Sequence, residues 1–278
     1  MIAAHPLRIP IMRIAALLLG LLFTGNATAL DTFHELRTCV QGNIPVKTVR
    51  QDMAMAHKNR VGKERRLIGK MYLRRNDKQL LDTVMQLEQP KELFRAAYLL
   101  LEGSGRLQDK LFGTAEDRIY VYLPAARKPR EVSASSAGSQ LFGTNLNTQD
   151  IKHIFGALSG GKPKKLPDEK VNGRRSYPVQ IVPYEQTSPY SKIMAYVDAQ
   201  TCLTSKADFY GRSGKLDKTL SQNMGKVSRE DGRFVGHEFK MQEAGSPEQT
   251  MLYFGNVQYD EGLSEALFHP DGFYKEKK

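Results

Sequence analysis

Past residue 29 the chain carries five histidines, His34, His57, His153, His237 and His269, which could ligate a metal or move protons. None stands in an HxH or HExxH spacing or paired with a cysteine, so no metal site is expected. Gly156, Gly161 and Lys162 match most of a loop that cradles nucleotide phosphates on backbone N–H groups. The match fails chemically: Pro163 stands where a Ser or Thr would hold magnesium, and the glycines follow a helical stretch instead of a strand. No Gly-x-Ser-x-Gly elbow, CxxC pair or thiol-protease flank is present, so neither a catalytic residue nor a cofactor is expected and a non-enzyme is the reading.

The N-terminus explains why the chemistry is sparse. Arg8 and Arg13 precede an apolar run over 14–23, and Ala27-Thr28-Ala29 supplies the small residues of a cleavage site. That is a cleaved signal peptide over 1–29, beginning at Met1 or at Met12, because about ten apolar residues are half of the ~20 that a spanning helix needs. The expected compartment is the periplasm, as a monomer. Loss of Arg8 and Arg13 lowers the formal charge from +11 to +9. An exported basic chain meets anionic lipid head groups and not nucleic acid, although scattered lysines and arginines also make an ordinary solvated surface. Cys39 and Cys202 are an even pair in an oxidising compartment. They form either a disulfide, which across 163 residues would add about 5 kcal/mol on chain-entropy grounds, or two buried free thiols.

The elements that must position any site read mostly as strands. A short helical pattern with Phe33, Leu36 and Val40 on one stripe opens the mature chain, and Gly42 and Pro45 interrupt it. Strand character follows at 67–73 and 78–87, ended by Pro90, and is clearest at 118–123, where β-branched and aromatic residues alternate. A second helix is expected over 148–158 with Thr148 as its N-cap. Residues 159–167 look like an inserted linker. A meander then runs through 192–197, Phe209-Tyr210, Leu220, 234–242 and 249–259. Many antiparallel strands without a βαβ rhythm exclude a doubly wound nucleotide fold. They leave a mainly β (α+β) chain: a curved antiparallel sheet or incomplete barrel around one greasy ligand, as a single domain over 30–278.

One stretch carries a family likeness. Tyr122-Leu123-Pro124, a basic stretch ending in Arg130, small polar residues over 133–139, Leu141-Phe142-Gly143-Thr144-Asn145-Leu146 and Asp150-Ile151 follow one another in order. This order resembles the central signature of the outer-membrane lipoprotein-sorting protein family, the LolA-like periplasmic carriers. Tyr190-Ser191-Lys192, Tyr196-Val197-Asp198 and the terminal 263–270 segment resemble later landmarks of that family. Asn145, Leu146 and Tyr196 replace its Asp, Phe and Trp. The resemblance implies a half-open LolA-like β-barrel with a few lid helices that binds acyl chains of a lipoprotein or lipid, exchanged with an inner-membrane lipid exporter and the outer membrane. The other use of such a scaffold is a non-catalytic sensor or protein-binding module. At about 0.8 kcal/mol per methylene, exposing a ~15-carbon chain costs roughly 12 kcal/mol, so such cargo needs a shelter. Candidate lining residues are Ile119, Val121 and Leu123 on one strand, Ile193, Ala195 and Val197 on another, and Phe239, Met241, Met251 and Tyr253 on the last hairpin. Alternation assigns each to a face without saying which face is the core.

Overall fold

A computed structural model describes residues 30–103, 116–133, 136, 138–155, 158–184 and 188–275. The expected signal peptide, Gly156 of the glycine pattern and part of the 133–139 run lie outside the described residues.

Helix α1 (Phe33–Gln41) starts where Thr32 and Glu35 cap each other reciprocally, and it buries Leu36 and Val40. The following strands are β1 (Thr48–Lys58), β2 (Glu64–Arg75), β3 (Leu81–Gln89), β4 (Ala97–Leu101), β5 (Arg118–Tyr122) and β6 (Pro129–Val132). Helix α2 (Thr148–Phe155) precedes β7 (Gly161–Lys165), β8 (Glu169–Val171), β9 (Arg174–Pro183), β10 (Tyr190–Asp198), β11 (Thr204–Gly211) and β12 (Leu216–Gln222). Then come β13 (Val227–Glu230), β14 (Arg233–Gly236), β15 (Glu238–Glu243) and β16 (Gln249–Tyr259).

Fourteen strands form one antiparallel sheet in the order β6-β5-β4-β3-β2-β1-β16-β15-β12-β11-β10-β9-β7, with β8 on β9. The first and last long strands pair at its centre, Met53 opposite Phe254. Two meanders therefore spread from a shared middle, and β6 and β7 are edges that do not meet. This is the curved, unclosed antiparallel sheet expected from the sequence.

Burial alternates along the strands, so the sheet has two distinct apolar faces. The inner face carries Met53, Met71, Val179, Ile193, Phe209 and Leu252, and α1 and α2 pack Leu36, Val40 and Ile151 onto it. On the outer face Tyr72, Val84, Ala97 and Leu99 are covered by the C-terminal segment through Leu267, Phe268 and Phe273. Each large apolar side chain buried this way contributes roughly 1.5–3 kcal/mol.

Three local expectations change. Residues 159–167 are not a linker: Gly161–Lys165 is edge strand β7 on β9, and its Pro163 is tolerated because an edge needs no further N–H donor. The strand expected over 234–242 breaks at His237, and β14 instead pairs β13 in a separate two-stranded sheet. Helix α2 is capped by Asn147 and not by Thr148. Asn147 Oδ1 accepts from the Asp150 N–H at 2.9 Å, and Asp150 Oδ2 accepts from the Asn147 N–H at 2.8 Å.

Candidate functional site: an apolar cleft beneath a hairpin

Strands β13 and β14 are joined through Asp231 (φ 47°) and Gly232 (φ 77°), the left-handed pair that a two-residue hairpin turn requires. The hairpin lies against the end of α1, where the Phe234 N–H donates to Asn43 Oδ1 at 2.9 Å while Asn43 Nδ2 donates to the Thr201 carbonyl at 2.7 Å. Arg233 stacks 4.7 Å over the Tyr259 ring and sits 3.5 Å from the Asp260 carboxylate.

Beneath this hairpin a cleft of about 110 Å³ enters the inner face of the sheet. Its walls are Val40 and Ile44 from the α1 side, Val49 and Leu73 from the sheet, Phe155 from α2 and Val235 from the hairpin. Phe155 meets Phe254 edge-on at 5.1 Å, and Phe254 meets Phe239 at 5.8 Å, so aromatic side chains fill much of the concavity. A cavity of ~150 Å³ admits a benzene-sized guest. The space left here is therefore shorter than an acyl chain, because α1 and α2 pack into the hollow that the sheet alone would leave open.

Cys39 and Cys202 are joined across the cleft's rim with Cα atoms 5.7 Å apart, tying α1 to the turn after β10. Gln222 borders the cleft, and its Nε2 is buried without a hydrogen-bond partner. Arg75, at the end of β2, donates to the carbonyl of the lining residue Pro45 at 2.8 Å.

The ten expected lining residues fall into four places. Phe239 borders the cleft. Ile119, Ile193, Ala195, Val197 and Met241 are closed inside the inner core. Val121 and Leu123 line a separate hollow of about 430 Å³ at the β5–β6 edge, together with Arg130. Met251 and Tyr253 alternate with the buried Thr250, Leu252 and Phe254 and so face outward, Tyr253 being 41% exposed.

The signature residues divide similarly. Tyr122 stacks on Tyr274 at 4.2 Å on the outer face, and Pro124 opens a single 3-10 turn. Phe142 (φ 53°) and Gly143 (φ 72°) turn the chain inward, and a Cβ on Gly143 would meet Arg65 Nη1 at 2.7 Å. Asn145 and Asp150 then enter a buried polar network that seats α2 on the sheet. Asp150 Oδ1 accepts from the Tyr190 hydroxyl at 2.5 Å and Oδ2 from Lys218 Nζ at 3.1 Å. Lys218 Nζ also donates to the Asn145 carbonyl at 2.5 Å, and Asn145 Oδ1 accepts from Thr250 Oγ1 at 2.5 Å. Burial pushes the Asp150 carboxyl upward against the opposing pull of Lys218, Tyr190 and Asn147.

A second buried group, which sequence reasoning missed, surrounds Glu102. Its oxygens accept from the Leu81 N–H at 3.1 Å and the Ser159 hydroxyl at 2.9 Å, beside a Lys152–Asp117 ion pair at 2.8 Å. Burial moves the Glu102 carboxyl up to about 7 and the His153 imidazole down to about 3. Among the described residues no cluster of three or more His, Cys, Asp or Glu could hold a metal ion.

Solved structures share this architecture. The outer-membrane lipoprotein-sorting protein domain from Vibrio parahaemolyticus superposes with a TM-score of 0.76 at 19% identity, covering 87% of this chain and 97% of that one. A DUF1329 family protein from Desulfovibrio piger gives 0.73 at 22% identity, with 85% and 95% covered. A LolA superfamily protein from Nitrosomonas europaea gives 0.65 at 17%, with 85% and 96% covered. A search among curated proteins matched none. A family model described as an uncharacterized protein matches residues 82–273, which is more than half of the sequence. The chain thus belongs to that family, and its fold is the one seen in the lipoprotein-sorting and LolA superfamily structures.

Proposed function

We propose that this chain is a non-catalytic periplasmic carrier that takes up acyl chains of a lipid or lipoprotein in the cleft beneath the β13–β14 hairpin. The observation carrying the reading is an apolar cleft on the inner face, part of whose wall is a two-stranded hairpin outside the main sheet and the Ile154-Phe155 end of α2. Acyl chains enter when those parts move aside and the guest replaces Phe155 against Phe239 and Phe254. The likeness in fold to lipoprotein-sorting proteins supports the same reading. An inner-membrane lipid exporter as donor and the outer membrane as acceptor fit a basic exported protein.

The test is organic extraction of the purified protein followed by mass spectrometry, with uptake of a fluorescent acyl probe by the stripped protein. Bound lipid and saturable uptake are expected. Protein that is repeatedly empty and takes up no probe would remove the reading. The filled inner face favours, in that event, a protein-binding sensor on the same scaffold, which should retain one periplasmic partner without lipid.

A further inference from the structure

Nine large apolar side chains are well exposed among the described residues, and they are not spread evenly over the molecule. The antiparallel registers bring the β1–β2, β3–β4, β5–β6, β11–β12 and β15–β16 connections, with the end of β9, to one end of the sheet. Six of the nine lie there: Val61, Phe94, Leu123, Val182, Tyr184 and Leu216, between 38% and 86% exposed. Val46 alone of the nine sits at the opposite end, where Val49 and Leu73 border the cleft. Single exposed apolar residues are ordinary, but a set gathered at one end marks an interaction surface.

Positive charge is gathered at the same end. Connections 59–63, 90–96, 123–128 and 212–215 each carry two basic residues and together hold one acidic residue, Glu92. In the β15–β16 connection Glu248 is taken, with Glu243 beside it, by Arg60. The β1–β2 turn shows the pattern most clearly. Asn59 Oδ1 accepts from the Val61 N–H at 3.1 Å and from the Lys63 N–H at 2.9 Å, and Gly62 (φ 83°) closes the turn. This pinned turn holds Val61 out in water between the exposed Arg60 and Lys63. Elsewhere on the rim Leu216 follows Lys215, and Val182 stands opposite Lys162 across β7 and β9.

We propose that this end of the sheet docks on the surface of an anionic phospholipid bilayer. The apolar tips enter the headgroup layer while the flanking lysines and arginines meet lipid phosphates. A protein partner calls for one contiguous, shape-matched patch. Here the apolar residues come singly from separate connections, each with cations nearby, which a fluid headgroup layer accommodates and a rigid surface does not. Tyr184 adds an apolar ring with a polar tip, the kind of side chain that membrane interfaces favour. This surface is separate from the cleft, so docking goes beyond the carrier reading and does not depend on it. Docking in this way keeps the cleft, at the other end of β1 and β2, on the aqueous side, and brings the hollow lined by Leu123 to the membrane.

The experiment is co-flotation of the protein, purified after export, with vesicles of phosphatidylcholine alone or with about 30 mol% phosphatidylglycerol. Partitioning to the mixed vesicles should be at least about tenfold stronger than to the neutral ones, and should fall as salt is raised to about 0.5 M. Val61→Asp and Phe94→Ser, at exposed positions in two different connections, should each weaken mixed-vesicle partitioning about threefold or more. The double variant Arg127→Glu/Lys128→Glu should weaken it at least about tenfold. Val46→Asp and Lys226→Glu, at the opposite end, should leave it unchanged. If one rim variant does not fold, the others decide, since they lie in separate connections. Equal partitioning to neutral and anionic vesicles overturns the proposal, as do losses from Val46→Asp and Lys226→Glu as large as those from the rim variants. Absence from both kinds of vesicle also overturns it, leaving this end of the sheet to a protein partner and lipid carriage untouched.

Discussion

Replacing Asp150 by Asn should uncouple α2 from the sheet. The carboxylate receives Tyr190 on one oxygen and both Asn147 N–H and Lys218 on the other, so both oxygens face donors. An Asn side chain must turn an NH₂ group toward one of those donors. It does so best at Tyr190, whose hydroxyl can rotate to accept, and Lys218, only 10% exposed, keeps two oxygens but loses its counter-charge. Breaking one side of a buried pair costs about 3–5 kcal/mol, a large share of the roughly 5–15 kcal/mol of a whole domain. Lys218→Met should cost a similar amount by stranding Asp150. The double variant Asp150→Asn/Lys218→Met should recover at least about 2 kcal/mol of the summed losses, because neither charge is then buried alone. Urea denaturation of the four proteins at pH 7 measures this cycle. Single losses below about 1 kcal/mol, or strict additivity, would show that the pair does not hold α2 in place.

Three further outcomes are expected. The Glu102 carboxyl holds its proton more tightly in the folded protein, at about 7, than an ordinary glutamate does at 4.5. Its contribution is therefore full at acid pH and is lost as pH rises through about 7, and between pH 5 and 8.5 the wild type should lose about 2–3 kcal/mol relative to Glu102→Gln. Equal pH slopes in urea titrations of the two proteins would contradict this. Phe155→Ala should cost less than the about 3–5 kcal/mol of a fully buried Phe→Ala change, since Phe155 is half-buried. It should also raise affinity for a fluorescent acyl probe by widening the cleft, and unchanged affinity would place the guest elsewhere. Replacing Cys39 and Cys202 together by Ala should lower stability by about 5 kcal/mol on chain-entropy grounds for a 163-residue loop, and a loss under about 1 kcal/mol in denaturation would refute that account.

The class of fold was legible because strand signals depend on local alternation, and Pro and Gly mark where strands stop. Faces were less legible. On β16 the inward residues are Thr250, Leu252 and Phe254, and the polar Thr250 is held inside by Asn145 and His57. Alternation alone favoured the hydrophobic Met251 and Tyr253, since nothing local says that a threonine will find partners 105 and 193 residues away. Strand β1 is obscured for the same reason: its inward row is Val49, Gln51, Met53, Met55 and His57, so two polar side chains break the period. The cleft is not legible in the sequence because its walls come from α1, β1, β2, α2, β12 and β14, which only long-range strand order brings to one hollow. The break at His237 has a comparable cause, since its ring spans Ser228 at 2.7 Å and the Phe254 carbonyl at 2.9 Å.

A filled interior and a carrier's task are compatible once the energies are set against each other. Sheltering a ~15-carbon chain is worth roughly 12 kcal/mol relative to water, whereas withdrawing one half-buried phenylalanine and lifting a two-stranded hairpin costs only a few. An empty half-barrel without such plugs would expose the apolar surface that drives aggregation. With them, on the proposed carrier reading, α2 and a guest would compete for the same aromatic wall of Phe239 and Phe254, and net affinity would be the difference between two burials. That difference would permit release, because returning Phe155 to the wall would recover part of what a departing chain gives up. The polar contacts of Asp150 with Lys218 and Tyr190 hold the N-terminal end of α2, so on the proposed carrier reading its Ile154-Phe155 end is the part that would yield, on the side of the cleft that the hairpin covers.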